Sequence, residues 1–149
     1  MKTRHKKKQN AKDIIGKLQR KAELLWKEFC ILRDGRRCMV EVYFPDRRIH
    51  TSVYQVDHCF SRQNKSIFTD VCNGTVICSG CNMSKKYDTW VKIAVEEIVK
   101  QREGEFTFER LREQALNQKP FLEWKNISWL EIHVKTLEEM VEEIAKIRS

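Results

Sequence analysis

No stretch of this chain approaches the ~18 uninterrupted apolar residues that a membrane-spanning helix requires. The basic start, MKTRHKKKQNAK, is not followed by an apolar segment, so the second element of a secretory signal is missing. Internal repeats are absent, and the lysine-rich start is the only low-complexity tract. These absences predict a chain without membrane partners that resides in the cytoplasm. What remains suits a soluble globular protein. At 149 residues, 41% hydrophobic and 34% charged, the chain has one domain's length and enough apolar material for a modest core.

The net charge of +8 is unevenly placed. Residues 1–21 hold nine basic side chains against Asp13 alone, which already supplies the whole excess. A second basic concentration lies in residues 33–92, and the C-terminal third is acidic. A basic tail and middle fit an anionic partner such as DNA. Residues 1–10 are expected to form a disordered basic tail, 11–104 the core with its N-terminal helix, and 105–149 a helical extension.

Apolar residues at Ala11, Ile15, Leu18, Ala22, Leu25, Phe29 and Leu32 alternate in steps of four and three, predicting a helix over 11–33 that ends at Asp34-Gly35. Leu130, Val134, Leu137, Val141 and Ile144 repeat the rhythm, with Ser128 and Glu131 as its capping box. One helix is basic and the other acidic, so they are expected to pack together or to pair across a homodimer. Between them, Val40, Val42 and Phe44 alternate as a strand, and Ile49 to Val56 reads as a second extended run. Lys85 and Lys86 open a helix carried by Trp90, Val91, Ala94, Val95 and Ile98 and stopped near Gly104; Thr107 caps another that runs to about Leu116. The fold class is α+β, mostly helical. Trp26, Trp90, Trp124 and Trp129 have apolar neighbours and are expected in the core or at helix interfaces, as is His133.

Six cysteines in a chain of this kind are read as thiols or metal ligands rather than disulfides. Cys30 sits on the apolar face of the first helix. Cys78 and Cys81 form a C-x-x-C pair followed at once by Asn82. That pair also serves redox chemistry, but no βαβ pattern surrounds it, so metal binding is preferred. Asp57-His58 ends an extended run, and Asn73-Gly74 follows fifteen residues after the histidine. An Asp oxygen and an Asn carbonyl are hard donors suited to Mg²⁺ or Mn²⁺. A neutral imidazole takes a proton from water near neutral pH. With lysines just downstream, these groups fit metal-assisted hydrolysis of a phosphate ester.

The segment from Asp57 to Lys86 resembles the HNH, or ββα-metal, endonuclease motif. The wider layout over residues 24–102 is similar to the phage NinG recombination proteins of that group. The resemblance implies a ββα-metal finger with flanking helices that cuts DNA during phage or mobile-element recombination, leaving 5′-phosphate and 3′-hydroxyl ends; a phage protein would act in the host cytoplasm. It further implies His58 as general base, Asp57 and Asn82 as ligands of a Mg²⁺ or Mn²⁺ ion, and Asn73 as the residue holding the loop that orients the histidine. Arg62, Lys85 and Lys86 would meet phosphate. Relatives often build a structural zinc site from two C-x-x-C pairs, but here the upstream element reads Cys38-Met-Val-Glu41, one thiol short. Cys38, Cys78 and Cys81 would then be completed by Cys59, Cys72 or His50, or remain a three-ligand set. NinG relatives often carry Gly where Asp57 stands, and Asp57 matches the broader HNH pattern. The alternative is a zinc-stabilised DNA-binding module without catalysis.

Overall fold

The two apolar seams become the two longest helices, α1 (Lys2–Asp34) and α6 (Ile127–Arg148). They appear in a computed structural model that describes residues 2–45, 50–61 and 63–149, with side chains from residue 10 onward. The segment expected as a disordered tail is part of α1 from Lys2 onward, its side chains through residue 9 lying outside this description. The helices pack on each other within the one chain. Ala22, Trp26 and Cys30, one turn apart on α1, share a core with Leu130, Val134 and Leu137 of α6. Lys21 and Glu138 pair at 2.9 Å across the seam, an exposed contact that contributes little beside the buried apolar surface. The N-cap of α6 is Asn126, whose side chain accepts from the Trp129 N–H at 2.9 Å. Ser128 therefore lies inside the first turn instead of capping it; an Asn placed two residues earlier serves equally well.

Gly35, at φ +78°, terminates α1 in the left-handed conformation, its N–H bonded to the Ile31 carbonyl at 2.8 Å. Asp34 is buried at this end. Its carboxylate accepts from Arg33 at 2.7 and 3.0 Å and from the Val76 N–H at 3.0 Å. Arg33 also donates to the carbonyls of Val71 and Gly74. The end of α1 is thereby fastened to the central sheet by charge-assisted bonds.

That sheet has two antiparallel strands, β1 (Tyr54–His58) and β2 (Gly74–Cys78), with Val56 opposite Val76 and His58 opposite Gly74. The strand expected at Val40–Phe44 is instead a short helix, α2 (Met39–Tyr43). Met39 and Val40 are buried as neighbours while Val42 is exposed, which is helical and not alternating burial. No strand pairs with the segment among the described residues, so its amides bond within it: Val42 N–H to Cys38 O and Phe44 N–H to Val40 O. The real partner of β1 is β2, which shows no alternation because all five of its residues are buried.

After β2 comes α3 (Ser79–Ser84), then α4 (Thr89–Glu103) and α5 (Glu105–Leu116). Lys85 and Lys86 thus follow a short helix; α4 starts at an Asp88 cap whose carboxylate accepts from the Trp90 N–H. Gly104, at φ +90°, joins α4 to α5 in a single residue, so α5 begins before Thr107, which is not its cap. A second core gathers Met39, Val40, Ile67, Ile77, Val95, Ile98, Phe108 and Leu111 between α2, β2, α4 and α5. No helix among the described residues is long and apolar enough to cross a membrane.

Candidate metal centre and the adjoining cleft

Four side chains from four places in the chain converge beside the end of the sheet. Cys38 precedes α2, His50 precedes β1, Cys78 ends β2 and Cys81 lies in the first turn of α3. Their donor atoms all lie within 4.8 Å of one another. Cys38 Sγ is 3.8 Å from Cys81 Sγ, and His50 Nδ1 is 3.6 Å from Cys78 Sγ and 3.5 Å from Cys81 Sγ. A tetrahedral ion with metal–sulfur bonds of about 2.3 Å and metal–nitrogen bonds of about 2.05 Å has edges of about 3.8 Å between sulfurs and about 3.6 Å between sulfur and nitrogen. The measured separations match those edges. The three sulfurs are fully buried.

Electrostatics at the pair point the same way. Burial opposes ionisation of Cys78, but the backbone N–H groups of Cys81 and Thr51 and the His50 ring outweigh it and bring the thiol down to about 6. Burial, and then the neighbouring Cys78 and Cys38, push Cys81 up; a cation between them is what lets several thiolates share one site. Of the alternatives for a fourth ligand, the structure selects His50. Cys59 is buried elsewhere with its thiol pushed up to about 12 by burial, and Cys72 reaches the Glu103 carboxylate at 3.5 Å. His50 Nε2 is buried without a hydrogen-bond partner among the described residues. The Cys3His cluster could hold a structural metal such as zinc.

Asn82 follows Cys81 directly, so the same turn of α3 carries the chain into a cleft of about 510 Å³. Asp57, His58, Ser61, Asn82, Lys85 and Lys86 line it. The structure therefore brings five of the expected site residues, Asp57, His58, Asn82, Lys85 and Lys86, to one place. Asp57 Oδ2 accepts from Lys85 Nζ at 2.6 Å, and the same ammonium donates to the His58 carbonyl at 2.6 Å. Burial pushes the Asp57 carboxyl up from its ordinary value, and Lys85 pulls it part of the way back. The Asn82 amide nitrogen donates to Gln55 Oε1, a bond that does not engage the amide oxygen. Lys86 is exposed at the rim, and Arg62 lies outside the described residues.

His58 is held on three sides. Its ring stacks on the Trp26 indole at 4.2 Å and on Phe68 at 5.0 Å, and its Nε2 lies 2.9 Å from the Phe68 carbonyl oxygen. A carbonyl only accepts, so the bond requires the proton on Nε2 and makes Nδ1 the basic nitrogen of the neutral ring. Gly74, opposite His58, makes the stack sterically feasible. A Cβ there would come within 2.7 Å of Trp26 and 2.5 Å of Cys30 Sγ. Asn73 is fully buried. Its amide accepts from the Phe60 N–H at 2.9 Å and donates to the carbonyls of Phe60 and Ile67, closing the loop that leads from His58 to β2.

Sequence reasoning placed Trp26 at a helix interface, where it lies, but found neither its stacking on His58 nor the role of Phe68. For Trp26 a signal existed: it and Cys30 continue from Ala22 of the main seam in steps of four. No family model, curated protein or solved structure matches the chain.

Proposed function

We propose that the chain is a metal-dependent endonuclease of the HNH type that hydrolyses DNA phosphodiester bonds, with zinc in the Cys3His cluster as a structural ion. The observation that carries this reading is the cleft that His58 lines together with Asp57 and Asn82, an imidazole residue beside two oxygen donors. Metal ligands and base need this separation of roles. Asp57 and Asn82 offer a carboxylate and an amide oxygen, both hard donors. A Mg²⁺ or Mn²⁺ ion held there supplies positive charge for the phosphate and for the departing 3′-oxygen.

His58 takes the proton from the attacking water, and its stacked neighbours keep the ring from turning away. Lys85 bridges Asp57 and the His58 carbonyl, and its ammonium can exchange the carboxylate for a phosphate oxygen. Lys86, at the rim, attracts the backbone. Three thiolates and an imidazole form a closed tetrahedral set, which suits a structural ion rather than a catalytic one with an open position. The family resemblance suggests processing of phage or mobile-element DNA.

Supercoiled plasmid incubated with Mg²⁺ or Mn²⁺ tests the reading. Wild type nicks it, and His58→Ala retains DNA binding but loses a factor of about 10²–10⁴ in rate, the usual worth of a general base. Equal nicking by the two proteins removes His58 from the mechanism. A second reading, the zinc-stabilised DNA-binding module, is favoured by the Lys85 ammonium already seated on Asp57. It is the correct one if wild type binds DNA and nicks nothing with either ion.

A further inference from the structure

A second cavity, also of about 510 Å³, adjoins the cleft, and Ser61 lines both. It is bounded by the loop after His58 on one side and by the segment between α5 and α6 on the other. Lys65, Lys119 and Lys125 face it, joined by the amide side chains of Gln63, Asn64 and Gln118. No carboxylate lines it among the described residues. In the first cavity Lys85, Lys86 and Lys92 stand with the single carboxylate of Asp57, which Lys85 already neutralises. Six lysines thus line two cavities that meet at Ser61, in a molecule whose residues beyond 21 carry no net charge. Beyond the basic residues 1–21, which supply the whole net excess, this hollow gathers positive charge that the rest of the sequence balances.

The hollow is also built rather than draped. Asn64 Nδ2 donates to the Gln114 carbonyl at 2.7 Å, tying the loop to the end of α5. The Asn117 side chain accepts from the Lys119 N–H at 3.0 Å, which fixes the turn that presents Lys119. Lys65 lies over the Phe68 ring at 4.0 Å, the same ring that stacks on His58.

We propose that this hollow is the path of the DNA strand being cut: the strand passes from the Asp57 cleft across Ser61 into the second cavity, where Lys119, Lys125 and Lys65 take phosphates flanking the scissile one. Amide side chains there meet sugar and phosphate oxygens and carry no base code. This deepens the nuclease reading and rests on it for the identity of the polymer.

Fluorescence anisotropy of a labelled duplex and of its single strand, without added Mg²⁺ or Mn²⁺ so that nothing is cut, tests the path. The comparison sets wild type against Lys119→Ala/Lys125→Ala, both exposed positions, and against Lys135→Ala/Lys146→Ala, which removes the same charge from exposed sites of α6 outside the hollow. The slope of log affinity against log salt should flatten by about 0.9 per lysine removed on duplex, or about 0.7 on single strand. The α6 pair should leave it unchanged. An unchanged slope for the first pair, or equal flattening by both, overturns the path. The nicking assay reports separately: a wild type that cuts nothing while the Lys119/Lys125 variant still loses slope ends hydrolysis and leaves the path standing.

Discussion

Removing the metal centre is the most direct perturbation of this fold, because four separate segments meet there. Serine at Cys78 removes the thiolate that receives the Cys81 N–H at 3.4 Å and faces His50 at 3.6 Å. A hydroxyl is a poor ligand at neutral pH, so a three-donor site remains. An ion present at a thousandfold excess over its dissociation constant contributes about 4 kcal/mol to the folded state. In a chain of this length each kcal/mol corresponds to about 2–4 °C, so chelation should lower the wild-type midpoint by about 8–16 °C. Elemental analysis of purified protein should find one zinc per wild-type chain and little in Cys78→Ser. Cobalt substitution should give the visible absorption of a tetrahedral thiolate site. Cys59→Ser and Cys72→Ser are the controls, since neither sulfur belongs to the cluster. Full zinc content in Cys78→Ser, or equal loss in the two controls, would refute the assignment.

Three further outcomes follow from the packing. Gly74→Ala drives a methyl to within 2.7 Å of Trp26 and 2.5 Å of Cys30 Sγ; urea denaturation should show a loss of about 1–3 kcal/mol, the usual cost of overpacking, and a variant as stable as wild type contradicts the contact. Asp34→Ala leaves Arg33 and the Val76 N–H without their buried carboxylate; it should cost about 3–5 kcal/mol in the same assay, and a loss below 1 kcal/mol would show the network to be ornamental. Burial holds the His133 imidazole below its ordinary value of 6.5, with Asp70 pulling weakly the other way. The unfolded chain therefore binds a proton there that the folded chain refuses, so this contribution is complete above about pH 6.5 and is lost as pH falls below it. His133→Gln should show a shallower decline of stability between about pH 7 and 5 than wild type; parallel curves would assign the acid sensitivity elsewhere.

What could be read from residue order was whatever repeated often enough to set a period. The α1 and α6 seams run for many turns, and α4 and α5 carry the same spacing, so these helices were visible in advance. Val40, Val42 and Phe44 give only three points, too few to separate an alternating strand from one turn of α2. β2 escaped notice because burial on both faces erases alternation. In the cleft, Asp57, His58, Asn82 and Lys85 were legible because they crowd into thirty residues; their meeting at one cavity is a consequence of β1 and β2 pairing. His50 could be offered only as one of three candidates, since a single histidine after Cys38 has no spacing signature. The Trp26–His58–Phe68 stack joins residues from α1, β1 and the following loop, and no local pattern encodes it.

Cys81 and Asn82 are consecutive residues, their α-carbons separated by about 3.8 Å. The cluster beside the end of the sheet and the Asn82 oxygen proposed as a cation ligand are therefore neighbours on one backbone, with no hinge between them. On the proposed nuclease reading, ion capture by the cluster would fix the turn that carries Asn82, so a chain without its ion would cut no nucleic acid.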